Sequence, residues 1–442
     1  MRIRYYIALF TCRCIYLFMR LLGKSATNFP GVIAYKICPK FLSYVKKPKV
    51  LIGVTGTNGK TSTCNILIDF FKSQGLSVVN NSIGSNLRSG VISAFIGFFG
   101  KADVAILEVD ELASYQILPY LDFDYLIVTN LFRDSIKRNA HVQYIFSRLD
   151  SSIKKNFKLI LNSDDLISSQ LGKSNKKIFF SVSEFKEDKC ESNSLINDAT
   201  YCPVCLSKLT YDYIKYHHIG HARCDVCGFT NSKSDYVVNK TRKDLIFINN
   251  IEYPMIGSGT TCYYNEVAIV SLLKELGYDD IVISNAFKNI KVTDIRLKRD
   301  RVGNTEVIKI AAKGQNAVSA SRVFDQIRKE KGKKQIILIT DDERDAKEGE
   351  TSSWLYEADF EYLNNKNISK IIIGGNRRFD SKLRLLLAGV SNKIIFTTPK
   401  EGDTYNYIDY MNADKIYIVH DTYNNKTAFK LMDDIKRKLG GI

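Results

Sequence analysis

The sequence predicts an α/β protein: an open-sheet domain carrying a cysteine-bound insertion, followed by a smaller αβ domain. Three observations predict it. Short apolar runs of strand length alternate with helical stretches from about residue 49 onward. A glycine-rich turn, Thr55-Gly56-Thr57-Asn58-Gly59-Lys60-Thr61, stands between the first of those runs and the first helix that follows it. Two CxxC pairs interrupt the alternation further along.

Val50-Leu51-Ile52-Gly53-Val54 reads as a buried strand, and Ser62 to Ser73 as the next helix. Val104 to Leu107, Tyr125 to Val128 and Leu159 to Leu161 are further strands. Near-continuous apolar runs separated by helices indicate a parallel sheet covered on both faces. Residues 173–235 break the rhythm and read as an insertion. Helical periodicity returns at Glu266 to Leu276. A second rhythm has strands at Val307–Ile310, Ile336–Ile339, Ile371–Ile373, Ile394–Phe396 and Ile416–Val419, which suits a small Rossmann-like domain. The hinge is expected at residues 291–303, in the basic run Lys298-Arg299-Asp300-Arg301. The expected divisions are a segment 1–45, a domain 46–295 with its insertion at about 198–236, and a domain 296–442. No internal repeat or low-complexity tract is visible.

A chain of 442 residues with 45% hydrophobic content can bury more than one core. The formal net charge is +17, which points to anionic partners or to general solubility. Residues 1–50 contain ten Lys or Arg and no Asp or Glu. Arg13 and Arg20 interrupt their apolar clusters, so no uninterrupted apolar span of about 20 residues exists to cross a membrane. Arg13 also stands where the apolar core of a signal peptide would lie. Residues 1–24 are expected to form a helix, either on an anionic membrane surface or docked on the protein body.

Strand, glycine turn and helix in that order are the context of a P-loop. Thr55, Gly56, Thr57, Asn58, Gly59, Lys60, Thr61 and Ser62 would bind nucleotide. Glycines let backbone amides approach phosphates, and the helix N-terminus adds unpaired N–H groups. Lys60 would lie against the β- and γ-phosphates, and the Thr61 hydroxyl would bind Mg²⁺. Val54 replaces the first glycine of the strict eight-residue spacing.

Cys202-Pro203-Val204-Cys205 and Cys224-Asp225-Val226-Cys227 lie eighteen residues apart, and Gly228 follows the second pair. Two such knuckles can close a tetrahedral thiolate site, read here as structural Zn²⁺. The ten cysteines therefore indicate metal binding in a reducing compartment rather than a disulfide framework. His217, His218 and His221, between the knuckles, read as exposed loop histidines, with replacement of a cysteine ligand by one of them as the alternative.

The run Gly53 to Thr61 resembles the ATP loop of Mur ligases and folylpolyglutamate synthases, which activate a carboxylate with ATP for attack by an amine. Asn81-Ser82-Ile83-Gly84-Ser85-Asn86, Glu108-Val109-Asp110-Glu111, Asn130-Leu131-Phe132-Arg133-Asp134 and Leu161-Asn162-Ser163-Asp164-Asp165 narrow the resemblance. They are similar to the MurT family, the synthetase subunits of lipid II isoglutaminyl synthase. The four-cysteine insertion, Ser353–Glu361 around Trp354, and Gly374–Val390 carry the same resemblance.

The resemblance implies a Mur-ligase central ATPase domain with an inserted zinc ribbon and a MurT-type C-terminal domain. It implies ATP as cosubstrate, Glu108 as a Mg²⁺ ligand with Thr61, and Asn265 near the adenine. Asn130 and Arg133 would line the cleft, and Lys313 would help neutralise an acyl phosphate. It implies amidation of the α-carboxylate of D-glutamate in lipid II, with ammonia from a GatD-like glutaminase. The work would be cytoplasmic, at the inner face of the membrane, and would involve no nucleic acid. In the family an aspartate just before the tryptophan completes the partner's catalytic triad. Here Glu350 is the candidate for that role, with Asp341, Asp342 and Asp345 as rivals. His141 and His420 have no assigned role. Two rival functions stand: a Mur-type ligase that joins an amino acid or peptide without a glutaminase, and a zinc-ribbon nucleic-acid binder. The acidic turn at Glu108 speaks against the second.

Overall fold

The computed structural model describes residues 2–81, 85–133, 141–257, 259–290, 297–312, 316–339, 352–421 and 423–441. The chain divides into two compact units. One comprises residues 1–133, 141–192 and 198–292, and the other 134–140, 193–197 and 293–442.

The first unit is built on a nine-stranded sheet. Its strands are β1 (Val50–Thr55), β2 (Val78–Asn80), β3 (Val104–Glu108), β4 (Tyr125–Val128), β5 (Lys158–Asn162), β6 (Lys177–Val182), β9 (Tyr236–Arg242), β10 (Leu245–Ile248) and β11 (Ile251–Pro254). The order is β11-β10-β9-β6-β5-β4-β1-β3-β2. From β9 to β2 all neighbours are parallel, and β10 and β11 continue the edge antiparallel. Strand β1 lies between β3 and β4, so the loop after it opens at the carboxyl edge where such sheets bind ligands. All residues of β3 and β4 are buried, which explains their unbroken apolar runs. Between β6 and β9 the chain forms the hairpin β7 (Thr210–Tyr216) and β8 (Ile219–Arg223).

Helix α1 (Arg2–Leu21) packs on α2 (Phe29–Ile37) and α4 (Arg88–Ile96), while α3 (Lys60–Ser73) follows β1. Ala8 and Cys12 of α1 are buried in the unit's main core. The Arg13 guanidinium donates to the carbonyls of Ile96 at 3.4 Å and Phe98 at 3.0 Å. No described helix is long and apolar enough to cross a membrane.

The second unit holds a six-stranded sheet of β12 (Leu297–Val302), β13 (Thr305–Ala311), β14 (Lys334–Ile339), β15 (Ile368–Gly374), β16 (Ile395–Thr398) and β17 (Lys415–His420). The order is β12-β13-β17-β14-β15-β16, parallel except for β12. Trp354 is buried in its core. Arg384, also buried, donates to the carbonyls of Leu355 and Ala358 and to both carboxylate oxygens of Glu361 at 2.8 Å. The resemblance-bearing segments around Trp354 and Leu383 thus fasten each other.

Three expectations need correction. The division between the units falls at residues 292–293, inside the expected 291–303, but the basic run Lys298–Arg301 is the interior of edge strand β12, paired antiparallel with β13. Its Arg299 pairs with Glu330 and Glu306, charges that an edge strand tolerates and that hide the apolar alternation. The second sheet accordingly has six strands, not five. The insertion is narrower than 173–235, because Lys177–Val182 is a sheet strand paired with β5.

Candidate functional site

The turn after β1 is shaped by contacts from neighbouring strands. Gly56 has φ +126°, and a Cβ there would meet the Thr129 hydroxyl at 2.2 Å, so only glycine fits. Gly59 has φ +91°, and a Cβ there would meet the Asn265 side-chain oxygen at 2.4 Å. The loop after β4 braces the turn. Asn130 accepts from the Thr57 amide at 2.8 Å through its carbonyl, and from the Asn58 amide at 3.0 Å through its side chain. The Phe132 amide donates to the Thr57 hydroxyl at 2.9 Å.

Helix α3 starts at Lys60, whose buried ammonium donates to the Gly56 carbonyl and pairs with Glu111 at 3.0 Å. Burial opposes the lysine's charge. Glu111, Glu108 and Asp110 outweigh it together and raise the Lys60 pKa, so the ammonium stays charged. The Thr61 hydroxyl donates to Glu108 at 2.9 Å. Asn81 holds Glu108 from both sides: its side-chain oxygen accepts from the Glu108 amide at 2.8 Å, and its amide group donates to the Glu108 carbonyl at 2.9 Å. Near the turn, the Thr55 hydroxyl, Asn58 Nδ2 and Asn265 Oδ1 are buried without hydrogen-bond partners. A glycine-lined turn, a charged lysine, a hydroxyl beside a carboxylate and orphaned polar atoms together fit a nucleotide phosphate chain and its divalent cation.

The expected residues Thr55 to Ser62, Glu108 and Asn265 therefore converge. Arg133 pairs with Asp198, its Nε donating at 2.7 Å. Nothing in the sequence assigns Glu111 to the lysine, because the pair spans 51 residues and is a tertiary fact. Lys313, Asp341, Asp342, Asp345 and Glu350 lie outside the described residues.

The four cysteine sulfurs lie within 4.8 Å of one another. Cys202 and Cys227 sulfurs are 3.6 Å apart, and those of Cys205 and Cys224 are 3.4 Å apart. Sulfurs around one tetrahedral zinc stand about 3.8 Å apart, given Zn–S of about 2.3 Å, so the cluster fits a metal. Each knuckle turns back on a left-handed residue after its second cysteine, Leu206 at φ +63° and Gly228 at φ +74°.

The histidine expectation fails. His217 and His218 are buried, because the two-residue turn of the β7–β8 hairpin points inward rather than to solvent. The His218 ring packs on Phe132 at 4.5 Å, and its Nε2 lies 3.3 Å from Asp165. Asp165 accepts from the Leu131 amide at 2.7 Å. His221 is half-buried beside Asp212 at 2.8 Å. His141 caps a helix, accepting from the Gln143 amide. His420 ends β17, buried 3.3 Å from Lys309.

Residues 54–220 match the Mur ligase middle domain, and residues 314–425 match the MurT ligase C-terminal family. A Staphylococcus aureus relative named lipid II isoglutaminyl synthase (glutamine-hydrolyzing) subunit MurT is 31% identical over 398 residues, 88% of this chain and 90% of that one. This chain belongs to the MurT family. A MurT subunit from Streptococcus pneumoniae is 24% identical over 420 residues, 92% of each chain. Among solved structures, a pseudomurein peptide ligase type C from Methanothermus fervidus has the same fold, with TM-score 0.69 at 19% identity over 89% of this chain and 80% of that one. MurF ligase from Thermotoga maritima in complex with ADP matches at TM-score 0.57 and 13% identity, covering 92% of this chain and 84% of that one. The fold is that of Mur ligases, and as a MurT chain the protein is a ligase.

Beside the phosphate turn this MurT chain buries further carboxyls. Glu266 accepts from the amides of Ile256 at 2.9 Å and Gly257 at 3.1 Å. Burial outweighs those bonds and pushes its carboxyl up to about 8. Burial likewise raises Asp164 to about 6, against the pull of the Val182 amide and the Tyr264 hydroxyl. A raised carboxyl holds a proton that the unfolded chain releases at lower pH, so stability falls as pH rises between the two values. Thermal melting is expected to drop between pH 5 and pH 8.5. Glu266→Gln, which keeps an acceptor but cannot ionise, should shrink that drop and leave the part due to Asp164. An unchanged pH dependence in the variant would mean that Glu266 is ionised in the folded protein.

Proposed function

We propose that this MurT chain is the ATP-dependent synthetase subunit of an enzyme that amidates lipid II. The substrate is the α-carboxylate of D-glutamate in the stem peptide. Its oxygen attacks the γ-phosphorus of ATP, and ADP leaves. Ammonia then attacks the acyl carbon, phosphate leaves, and a proton is lost to give D-isoglutamine. A free carboxylate is a poor electrophile, and phosphorylation turns its oxygen into part of a leaving group. The observation that carries this reading is the pairing of Thr61 with Glu108 and of Lys60 with Glu111 at the sheet's carboxyl edge, in a chain of this family.

The backbone of Gly56 to Thr61 would cradle the phosphates, and Lys60 would follow the transferred phosphoryl group. Thr61 and Glu108 would hold Mg²⁺, which when bound offsets the phosphate charge. Asn265, against Gly59, would bound the nucleotide on its other side. Cys202, Cys205, Cys224 and Cys227 would hold Zn²⁺ with no open position, a structural role. The enzyme would work on the cytoplasmic side of the membrane. The nitrogen source would be a GatD-like glutaminase, with Glu350 completing its triad by orienting the partner's imidazole.

The chain alone is expected to amidate lipid II only with abundant free ammonia. With its glutaminase it should use glutamine, because a shared complex raises the effective ammonia concentration. Glu350→Ala should depress the glutamine reaction and spare the ammonia reaction, since the ATP residues are in the first unit. Equal losses with both nitrogen sources would place Glu350 in the ligase chemistry or the fold. Ligation of an amino acid, with no glutamine-dependent activity, would replace the amidation reading.

A further inference from the structure

Helix α1 carries two apolar faces, and only one is covered. Tyr5, Ala8, Leu9, Cys12 and Tyr16 lie on the face that packs on the first unit's core. At about 100° per residue, Ile3, Tyr6, Ile7, Phe10, Leu17, Phe18 and Leu21 fall within about 120° of arc on the opposite face. All seven are exposed, Phe10 by 73% and Leu21 by 85%. Scattered exposed apolar residues are ordinary, but a continuous stripe along a helix is a binding surface. The docking contacts of Arg13 and Ala8 fix which face turns outward.

The charges decide what covers it. Arg2 and Arg20 flank the stripe on one side and Arg4 on the other, all exposed. Residues 1–50 supply no acidic group to answer them. A second copy of the chain would place arginines beside arginines around the buried stripes. An anionic bilayer offers both an apolar interior and negative headgroups. The helix meets the pattern of one that lies in the interface plane, with its apolar face buried and its basic residues at headgroup level.

We propose that α1 is an in-plane anchor: docked to the catalytic unit by its inner face, it seats the enzyme on an anionic lipid surface by its outer one. The docking makes the anchor rigid, so it fixes the unit's orientation to the membrane as well as its location. This inference does not depend on the lipid II reading, because it concerns bulk lipid.

The test uses the full chain and vesicles without lipid II, of phosphatidylglycerol and phosphatidylcholine in equal parts or of phosphatidylcholine alone. The wild type should float with the anionic vesicles and release as salt is raised, with much weaker binding to phosphatidylcholine. Phe10→Ser/Leu17→Ser/Leu21→Ser should lose about tenfold or more in vesicle binding, since three large apolar side chains that would enter the bilayer become polar. Those positions are exposed, so its melting temperature and ATP affinity should match the wild type. Arg2→Gln/Arg4→Gln/Arg20→Gln should lose the preference for anionic lipid. Vesicle binding by the stripe variant equal to that of the wild type would overturn the proposal. So would a wild-type dimer in lipid-free solution that the stripe variant abolishes, since that outcome assigns the stripe to a second copy.

Discussion

Lys60→Ala is expected to lower ATP turnover about 100-fold or more, the scale of losing one preorganised charge at a reacting phosphoryl group. The same substitution should also destabilise the protein. Lys60 is buried against Glu111, itself buried, and removal of the lysine takes the ammonium at 3.0 Å away from that buried carboxylate. Breaking a buried pair from one side costs roughly 3 kcal/mol or more, because the remaining charge stays desolvated. Low activity in Lys60→Ala alone is therefore ambiguous between chemistry and fold. Lys60→Met/Glu111→Gln separates them. It keeps volume on both sides and removes both charges of the closest pair together, so melting should return toward wild type while turnover stays low. Substantial ATP turnover in the stable double variant would remove Lys60 from phosphoryl transfer.

The phosphate turn was legible in the sequence because strand, glycine turn and helix lie in contiguous residues. The ribbon was legible because thiolate geometry sets the short spacing within each CxxC pair. What surrounds them was not. The partner of Lys60 is 51 residues away, and nothing local distinguishes Glu111 from Asp110. Edge strand β12 was hidden by its charges, which are the usual protection of an unpaired edge. His217 and His218 read as exposed because they sit in a polar stretch between the knuckles. Their burial is decided by where the hairpin tip lands. A signal was nonetheless present: Tyr216-His217-His218-Ile219 puts four bulky side chains in or beside a hairpin turn, where small polar residues are usual. The sequence leaves the N-terminal helix either docked or membrane-facing, and the structure shows the docked face with a second apolar face left exposed.

Emptying the four-cysteine cluster of the zinc proposed for it should weaken ATP binding. Cys202, Leu209, Tyr211, Ile214, Ala222 and Cys224 belong to the first unit's main core, so the ribbon is packed into the domain. Its hairpin is pinned to the turn after β5: the Gly220 amide donates to the Asp164 carbonyl at 2.9 Å, and Asn231 donates to the carbonyls of Ser163 at 2.5 Å and Gly220 at 3.0 Å. At the tip His218 contacts Phe132 and Asp165, and these hold the Leu131 and Phe132 backbone that braces Thr57. The path from thiolates to phosphate turn is one continuous set of contacts. Protein purified without chelator should carry about one zinc per chain, since four thiolates saturate one tetrahedral ion. Cys202→Ser/Cys205→Ser should lose the metal and raise KM for ATP roughly tenfold, a change of about 1.4 kcal/mol. His218→Ala should give a similar KM effect while retaining zinc, and His218→Gln, which keeps a polar group near Asp165, a smaller one. An unchanged KM in zinc-free, folded protein would confine the ribbon to a role apart from the nucleotide site, and absence of zinc from the wild type would remove the metal assignment itself.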